Sequence, residues 1–434
     1  MREPSSPPGP FRRSFWRSPI RGPWLTSVLG LLLLVAIPVM FATGLLSYAA
    51  YNPNLSAIND TTPDKGPLGF YLFSWPTHPY WLYRLTQGVH VTLGLTLVPI
   101  LLFKLWSVLP KLFEWPPLHS AAHVLERLSL FLVVGGAGFE FATGILNIQT
   151  WYPFPASFYT MHFYGAWVFM AGLVVHVAVK FPVMIRALRS RSFWGEMRTN
   201  LAQTRPEPPE AGYLAPVAPA APTISRRGLL AFAGAGAALV ALLSVGQSLG
   251  GVFRKTALLA PHDQPVAGAG ADAGTVGDFQ VNNTALNARI SPVETGEKWR
   301  LSVGTDDQGG QAPAMLSRAD LLRMEQHTAS LPIACVEGWS TDNQAWAGVR
   351  LRDLAALSGV ANPSTVLVRS LQASGGFNRA VLSGAQIMDP DSLLALQVNG
   401  ADLSLDHGYP ARVIVPNNPG VHNTKWVSSL TFRS

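Results

Sequence analysis

Five long runs of apolar residues dominate the first 250 positions of the chain. They cover residues 24–50, 81–108, 121–148, 158–186 and 228–250. Each run is long enough for the roughly 20 helical residues that cross the hydrocarbon core of a bilayer. The pattern therefore predicts five transmembrane helices, and the first four, in residues 24–187, are expected to form an all-α four-helix bundle.

The charged residues between these runs predict the orientation of the helices. Basic residues are concentrated in the tail 1–23, between the second and third runs, and after the fourth run. Together with their acidic neighbours these segments sum to +10. The alternate segments are almost without basic residues, since 51–80 holds only Lys65 and 149–157 holds none. By the positive-inside rule the N-terminus is cytoplasmic, and the segment 51–80 lies outside.

The composition agrees with a membrane protein. Hydrophobic residues make up 48% of the 434 positions and charged residues 13%, whereas a soluble domain carries about 25% charged residues. This excludes a single ordinary soluble domain. The net charge of +7 is explained by the cytoplasmic segments, so nucleic-acid binding is disfavoured. The single cysteine excludes an intramolecular disulfide.

A second signal precedes the fifth apolar run. After a cytoplasmic Pro/Ala-rich linker at 188–224, Ser225-Arg226-Arg227 leads into a Gly/Ala-rich stretch. This resembles a twin-arginine export signal, and the alternative is a plain transmembrane helix with two basic residues at its cytoplasmic end. Both interpretations place the chain beyond residue 253 outside. We expect the segment 225–252 to be retained as a membrane anchor.

Histidines in the apolar runs are candidate metal ligands, because ionisable groups are costly inside a bilayer. His90 and His162 lie in the outer halves of the second and fourth runs. His176 lies fourteen positions after His162, on the same helix face and about 21 Å further along the axis. This spacing suits two haems stacked across the membrane, each held by imidazoles. We predict His90 and His162 as the outer pair and His123 and His176 as the inner pair, with His119 as an alternative to His123.

Two simpler arrangements remain open, a single-haem bundle and a haem-free bundle with hydrogen-bonded histidines. Glu140, in the outer half of the third run, is expected either to pair with Arg84 or to relay a proton at a quinone site. A short repeat supports the outer pair. Phe41-Ala42-Thr43-Gly44 and Phe141-Ala142-Thr143-Gly144 each precede a helix with an outer-half histidine.

Residues 24–187 resemble the bacterial membrane cytochrome b family that includes the four-helix subunits of formate dehydrogenases and hydrogenases. The His162 and His176 pair is the feature that carries this resemblance. It implies one or two b-type haems, contact with membrane lipid, and electron exchange with the quinone pool.

The pattern changes after an Ala/Gly-rich linker at 253–277. Alternating or β-branched runs predict strands at 299–303, 365–368 and 411–415. A capping-box-like start at Ser317 and a helical run at 351–357 followed by Gly359 predict short helices. The sequence therefore predicts an extracytoplasmic α+β domain at 278–434.

The only cysteine, Cys335, lies in this domain. A single cysteine is most often a small buried hydrophobic residue. Its thiolate is also a ligand suited to soft transition metals, and the spacing alone leaves both interpretations open.

The surrounding motifs are similar to those of the sulfite-oxidase family of molybdopterin enzymes, over residues 278–434. They are Cys335-Val336-Glu337-Gly338-Trp339-Ser340, Trp346-Ala347-Gly348-Val349, His407-Gly408-Tyr409-Pro410-Ala411-Arg412 and Lys425-Trp426-Val427. The resemblance implies that Cys335 is the catalytic residue that coordinates molybdenum. It also implies contacts to molybdopterin from Asn282, Ser370, His407, Arg412, Asn423, Thr424 and Lys425. The shorter form, without the immunoglobulin-like domain common in sulfite oxidases, resembles the bacterial methionine-sulfoxide reductase catalytic subunit.

These observations predict an enzyme of the bacterial inner membrane, in which oxygen-atom transfer at molybdenum is coupled through haem to quinones. The expected substrate is a sulfoxide, or sulfite in the reverse, dehydrogenase direction. Arg369, Phe377 and Arg379 are candidates for the substrate pocket. The alternatives are a non-catalytic membrane cytochrome with a degenerate outer domain, and a haem-free anchor for an active molybdenum domain.

Overall fold

The computed structural model describes residues 6–56, 58–59, 73–116, 120–149, 151, 153–154, 157–259, 279–306 and 312–434. Most of the predicted linker 253–277 lies outside the described residues, as do Lys65 and His119. The chain divides into two compact units. The helical unit comprises Met1–Ala42, Val91–Asn147 and Trp151–Ser244, and the sheet unit comprises Thr43–His90, Ile148–Thr150 and Val245–Ser434.

Long helices account for most of residues 23–249. The helices are α1 (Pro23–Ala50), α2 (Leu82–Leu112), α3 (Ala121–Ile148), α4 (Phe158–Ser190), α5 (Phe193–Arg198), α6 (Arg226–Ser244) and α7 (Gly246–Leu249). Helices α1 to α4, and α6 with its continuation through α7, are long and apolar enough to cross a membrane. The prediction of five long apolar helices is therefore confirmed.

In the helical unit, one apolar core draws residues from α1, α2, α3 and α4. Its buried members are Leu33, Ile37, Leu97, Leu101, Ala137 and Phe169. Glycines allow α3 and α4 to approach closely, because a Cβ on Gly172 would lie 2.7 Å from the Leu132 Cβ. The outward faces carry large exposed apolar side chains such as Val174 and Phe232. Such surfaces are typical of contact with lipid or a partner protein rather than with water.

The two arginines of the motif before α6 have different environments. Arg227 is exposed, whereas Arg226 is 1% exposed. The Arg226 guanidinium donates to the Arg205 carbonyl at 3.0 Å and the Pro19 carbonyl at 3.2 Å, and lies 3.4 Å from a Glu196 carboxylate oxygen. Arg226 thus joins the N-terminal tail and the linker after α4 to the start of α6.

The sheet unit contains two sheets. The strands are β1 (Leu301–Thr305), β2 (Ala314–Leu316), β3 (His327–Leu331), β4 (Gln344–Arg350), β5 (Thr365–Ser370), β6 (Arg379–Ser383), β7 (Leu393–Val398), β8 (Ala401–Asp402), β9 (Arg412–Ile414) and β10 (Val427–Arg433). The first sheet has the order β2-β1-β10-β5-β6, in which β1 and β10 are parallel. The second has the order β3-β4-β7-β8, with β9 also paired to β7.

Short helices lie between the strands. They are α8 (Ala285–Ala288), α9 (Pro292–Thr295), α10 (Arg318–Arg323), α11 (Leu351–Leu357) and α12 (Gly384–Met388). A core of fully buried side chains joins the two sheets to α11, with Val368 and Phe432 from the first sheet, Leu394 from the second and Leu354 from the helix. The predicted α+β character of this region is confirmed.

Local sequence signals located several elements closely. Helix α11 has the predicted bounds, and Ser317 and Asp320 form a capping box at the start of α10. The first predicted strand begins two residues later than expected, at Leu301. The Trp299 before it donates its indole N–H to the Val427 carbonyl at 3.1 Å and is buried as part of the core rather than of the ladder.

Residues 43–90 belong to the sheet unit through side-chain amides. Asn59 pairs with the backbone of Val381 in the edge strand β6, at 2.8 Å and 3.0 Å. Asn417 accepts from the Tyr83 backbone N–H at 2.6 Å and donates to the Pro76 carbonyl at 2.7 Å. The N-terminal end of α2 is therefore bonded directly to the loop that follows β9.

We expect Gly348→Ala to destabilise the sheet unit. A Cβ at this position in β4 would lie 2.1 Å from the Leu394 carbonyl oxygen of β7, and overpacking of this kind costs about 1–3 kcal/mol. Thermal unfolding of the purified protein measures the loss. Gly376→Ala is the control, because a Cβ there meets nothing within 4 Å. Equal melting temperatures for the two variants would contradict the prediction.

Candidate functional site

Cys335 lies in a tight turn between β3 and β4. The Cys335 N–H donates to the Trp339 carbonyl and the Gly338 N–H to the Cys335 carbonyl, both at 3.0 Å. Gly338 has a φ of 86°, which favours glycine. The turn directs the thiol toward Asn282, whose amide Nδ2 lies 3.5 Å from the Cys335 Sγ and donates to a Glu337 carboxylate oxygen at 3.1 Å.

The Cys335 thiol is 6% exposed. Burial and the neighbouring Glu337 carboxylate raise the pKa of this thiol well above its ordinary value, so the unliganded group stays protonated. A bound cation reverses this balance, because metal coordination stabilises the thiolate. The arrangement therefore fits a metal ligand better than a free nucleophile.

The Cys335 thiol borders a cleft that is partly open to solvent. Six of the residues predicted to bind molybdenum or its pterin line this cleft, as does one substrate-pocket candidate. They are Asn282, Cys335, Arg412, Asn423, Thr424, Lys425 and Phe377. The structure thus brings together residues that are up to 143 positions apart in the sequence.

Two buried cations lie in the cleft. Arg412 donates to the His407 carbonyl at 3.3 Å, and Lys425 donates to the carbonyls of Asn283 and Asp406. Burial lowers the pKa of Arg412 to about 9 and that of Lys425 well below its ordinary value, with Arg412 adding to the second shift. Burial disfavours the charged form of both side chains, and the acceptors of their hydrogen bonds are neutral carbonyls.

Polar atoms in the cleft also lack partners. Among the described residues, the Arg412 Nε and the Thr424 Oγ1 are buried without a hydrogen bond. A buried polar group without a partner is costly and usually marks an absent ligand or water. An anion with several oxygen atoms, such as a phosphate, would satisfy the cations and both of these donors. The cleft therefore fits the phosphate of a pterin cofactor.

Gly408 lies close to the stems of both cationic side chains. Its φ is 110°, and a Cβ on it would lie 3.1 Å from the Lys425 Cβ and 3.3 Å from the Arg412 Cβ. Both the backbone conformation and the close approach require glycine.

Ser370 and His407, which were also predicted to bind the pterin, are not among the residues that line the cleft. The Ser370 hydroxyl donates to the Lys425 carbonyl at 2.7 Å. His407 Nε2 lies 2.9 Å from the Phe279 carbonyl and Nδ1 lies 2.7 Å from the Ser404 hydroxyl. Asn423, besides lining the cleft, accepts from the Val415 N–H at 3.1 Å. Ser370 and His407 thus position the residues that line the cleft.

Comparison with known proteins identifies this region. Residues 288–434 match the family model described as "Oxidoreductase molybdopterin binding domain". This region is a molybdopterin-binding oxidoreductase domain. The Cys335 thiol, the buried cations and the unpaired donors of its cleft agree with that assignment.

Several curated proteins are similar to the molybdopterin domain. The uncharacterized oxidoreductase YuiH of Bacillus subtilis is 32% identical over 136 residues, which cover 31% of this chain and 65% of YuiH. Mitochondrial sulfite oxidase of Mus musculus is 31% identical over 151 residues, 29% of this chain and 28% of that protein. The NADH nitrate reductase of Volvox carteri is 36% identical over 103 residues, 21% of this chain and 12% of that protein.

The chain thus covers less than two thirds of the length of each of these relatives. Among solved structures, the sulfane dehydrogenase SoxCD of Paracoccus pantotrophus is 27% identical and matches 32% of this chain and 38% of that one, with a TM-score of 0.28. The mouse protein is one of several sulfite oxidases among the similar curated proteins.

Sequence reasoning missed two residues of this site. Glu337, beside the cleft, is 4% exposed and shares Asn282 with the Cys335 thiol. Asp406 lines the cleft and accepts from the Ala285 N–H at 2.7 Å. Glu337 follows Cys335 by two positions, and a carboxylate so close to a candidate metal ligand was a signal that could have identified it. Of the three substrate-pocket candidates, Phe377 is among the lining residues.

The outer histidines each contact a threonine. His90 Nδ1 lies 3.2 Å from the Thr43 hydroxyl, and His162 Nδ1 lies 2.9 Å from the Thr143 hydroxyl. His162 Nδ1 also lies 3.1 Å from a Glu140 carboxylate oxygen. Glu140 thus contacts a predicted haem ligand, which neither of its two expected roles included.

The inner histidines have different surroundings. His123 Nε2 lies 3.2 Å from a Glu114 carboxylate oxygen. The His176 Nδ1 is buried without a hydrogen-bond partner among the described residues. Arg84, which was expected from the sequence as a partner of Glu140, donates to the carbonyls of Ser248 and Leu249.

We expect the stability of the cofactor-free protein to fall between pH 6.5 and pH 4, and His407→Asn to reduce that fall. Burial lowers the pKa of His407 from 6.5 to about 4. The unfolded chain therefore takes up a proton first as the pH drops, which favours unfolding. Melting temperatures of both proteins at pH 7 and pH 4.5 measure the effect. We expect the drop to be smaller in the variant by roughly 2–4 °C, and equal drops would contradict this origin.

Proposed function

We propose that the chain is a membrane-bound molybdopterin-dependent oxidoreductase that couples oxygen-atom transfer at an outer molybdenum site to electron exchange with quinones through b-type haem. The molybdopterin domain supports the first half of this proposal. The five long apolar helices and the distribution of basic residues support the second half. We infer that the N-terminus is cytoplasmic, and that the molybdopterin domain lies outside the inner membrane of a bacterium.

At the outer site, Cys335 would hold molybdenum as a thiolate. Arg412, Lys425 and Thr424 would bind the pterin phosphate, for which their buried donors have the right charge and chemistry. The bound cofactor supplies the two-electron transfer of an oxygen atom between substrate and water. Asn282 would orient the thiolate, and Glu337 would hold Asn282 in place through the hydrogen bond between them.

At the membrane site, His90 and His162 would be ligands of an outer haem, and His123 and His176 of an inner one. Haem exchanges one electron at a time, which suits a quinone partner. His123 also contacts Glu114, and a single haem at the outer pair is the alternative to two.

A single hydrogen bond supports the coupling most directly. The Gln87 side chain is 3% exposed, and its Nε2 donates to the Val336 carbonyl at 2.5 Å. Val336 follows Cys335, and Gln87 precedes His90 by three residues, or about one turn of α2. One hydrogen bond thus links the residue next to the molybdenum ligand with the helix turn that carries a predicted haem ligand.

We infer a sulfur oxo compound as the substrate, namely a small-molecule or protein-bound sulfoxide, or sulfite. Reduction of a sulfoxide follows the resemblance to the methionine-sulfoxide reductase subunit. Oxidation of sulfite is the second candidate, because the similar proteins include several sulfite oxidases.

Haem absorption decides both the direction and the substrate. The cytochrome is reduced with a quinol analogue, and methionine sulfoxide, other sulfoxides or nitrate are then added. Reoxidation of the haem identifies a reductase, whereas haem reduction by sulfite identifies a dehydrogenase. Purified protein with a b-type spectrum but no molybdenum would favour the non-catalytic cytochrome instead. Active protein without a Soret band would favour a haem-free anchor.

We expect Cys335→Ser to abolish turnover while leaving the haem spectrum intact. Serine has nearly the same volume but supplies a hard oxygen in place of a soft sulfur ligand. Steady-state activity and the reduced-minus-oxidised spectrum are measured on the same sample. The spectrum controls for folding of the membrane part, and full activity of the variant would overturn the role of Cys335.

We expect Gln87→Leu to slow haem reoxidation by substrate by about tenfold, equivalent to about 1.4 kcal/mol in the barrier. Leucine fills a similar volume but cannot bond the Val336 carbonyl. Stopped-flow absorption measures the rate, and metal and haem contents show that both sites are still loaded. Gln203→Leu is the control, because Gln203 is exposed and bonds only Asn200 among the described contacts. An unchanged rate would remove the support that this contact gives to coupling.

A further inference from the structure

The repeated Phe-Ala-Thr-Gly motif has the same structural role at both of its positions. In α1, the Thr43 hydroxyl lies 3.2 Å from Nδ1 of His90 in α2. In α3, the Thr143 hydroxyl lies 2.9 Å from Nδ1 of His162 in α4. Each threonine thus contacts the same ring nitrogen of a histidine on the helix that follows. Two equivalent contacts from a repeated motif indicate one function performed twice.

The glycine after each threonine lies beside the ring of the histidine. A Cβ on Gly44 would lie 3.2 Å from the His90 Cε1 and 3.6 Å from its Nδ1. A Cβ on Gly144 would lie 3.7 Å from the His162 Cε1. The first distance is tighter than an ordinary van der Waals contact, and the second is not. The first ring is therefore held more closely than the second.

Hydrogen bonding at Nδ1 determines what the other ring nitrogen can do. A neutral imidazole has one N–H and one lone pair. When Nδ1–H donates to a fixed acceptor, the lone pair is on Nε2, and the ring is oriented for a metal ion. The Thr143 hydroxyl lies 2.8 Å from the Phe139 carbonyl, to which it donates. Its oxygen lone pairs are then available to accept from His162 Nδ1–H.

We propose that Thr43-Gly44 and Thr143-Gly144 are a duplicated pair of positioning elements that fix the tautomer and the orientation of the haem-ligand histidines His90 and His162. The proposal rests on the proposed function, since it takes these histidines to be haem ligands. Each threonine supplies the acceptor for Nδ1–H, and Gly44 also supplies the space for the edge of the His90 ring. Neither threonine is proposed as an iron ligand.

His162 Nδ1 also contacts a second acceptor, because a Glu140 carboxylate oxygen lies 3.1 Å away. Loss of the Thr143 hydroxyl therefore leaves this acceptor in place. We expect the effect of removing the Thr143 hydroxyl to be partial.

The first test removes the hydroxyl groups. We expect Thr43→Val to weaken haem binding by about tenfold or more, as the loss of ligand-orienting partners commonly does. We also expect it to shift the haem midpoint potential. Thr43→Ser keeps the hydroxyl and should restore both, and Thr143→Val should change haem binding and potential in the same direction as Thr43→Val. Thr96→Val in α2 is the matched control, because its hydroxyl bonds the Thr92 carbonyl at 2.7 Å.

Haem content, redox titration and electron paramagnetic resonance of the oxidised haem measure these changes without turnover. A purely structural role of the hydroxyl would lower expression or stability, but it would not change the potential of the haem that remains bound.

The second test fills the space beside the rings. We expect Gly44→Ala to lower the haem content and Gly144→Ala to leave it close to that of the control, following the two Cβ distances. Gly135→Ala in α3 is the control, because a Cβ there meets nothing within 4 Å. Equal haem contents in all three variants would overturn the role of Gly44.

Histidine variants separate the two proposals. If His90→Ala and His162→Ala keep a full complement of haem, then the proposed ligands are wrong. If the histidine variants lose haem while Thr43→Val and Thr143→Val behave like Thr96→Val, then His90 and His162 are haem ligands and only the positioning role of the threonines is wrong. Loss of haem in the histidine variants, and weaker haem binding with a shifted midpoint potential in the threonine variants, is the result that we expect.

Discussion

Hydrogen bonds to its backbone carbonyls fix the turn that carries Cys335, and the geometry of the Cys335 cleft depends on these contacts. Gln87 donates to the Val336 carbonyl, Ser248 to the Gly338 carbonyl and Arg254 to the Ser340 carbonyl. The Gly420 N–H donates to the Ala334 carbonyl at 2.8 Å. A hydrogen bond to a buried carbonyl contributes only about 1 kcal/mol, but an unpaired carbonyl is costly. The turn therefore keeps one conformation, in which the thiol borders the cleft and its neighbour contacts α2.

The cleft is built around a deficit of negative charge. Arg412 and Lys425 are buried with neutral carbonyls as hydrogen-bond acceptors, and burial lowers the pKa of each. A bound anion would reverse those shifts, so binding of an anionic cofactor and stability of the sheet unit are coupled. Burial of two cations without an anion is costly, and a bound anion would offset that cost.

Local chemistry explains what was predictable. The five long helices follow from continuous apolar runs, and α11 and the start of α10 follow from helix-end signals whose range is a few residues. The assignment of Cys335, Arg412 and Lys425 to one site followed from motifs rather than from periodicity. The repeat around Thr43 and Thr143 was visible as a pattern. Its hydrogen-bonding role was not, because a threonine in an apolar helix most often bonds its own backbone.

The sequence by itself determined the positions of the apolar helices, the α+β character of residues beyond 278, and the identity of the thiol and the cations of the cleft. Only the tertiary structure decided that Glu337 shares Asn282 with that thiol, that Glu140 contacts His162, and that Gln87 bonds the carbonyl beside Cys335. Gln87 and Val336 are 249 positions apart. Propensity and capping act over one or two turns of chain, whereas contacts over such separations depend on which surfaces pack together when the whole chain folds.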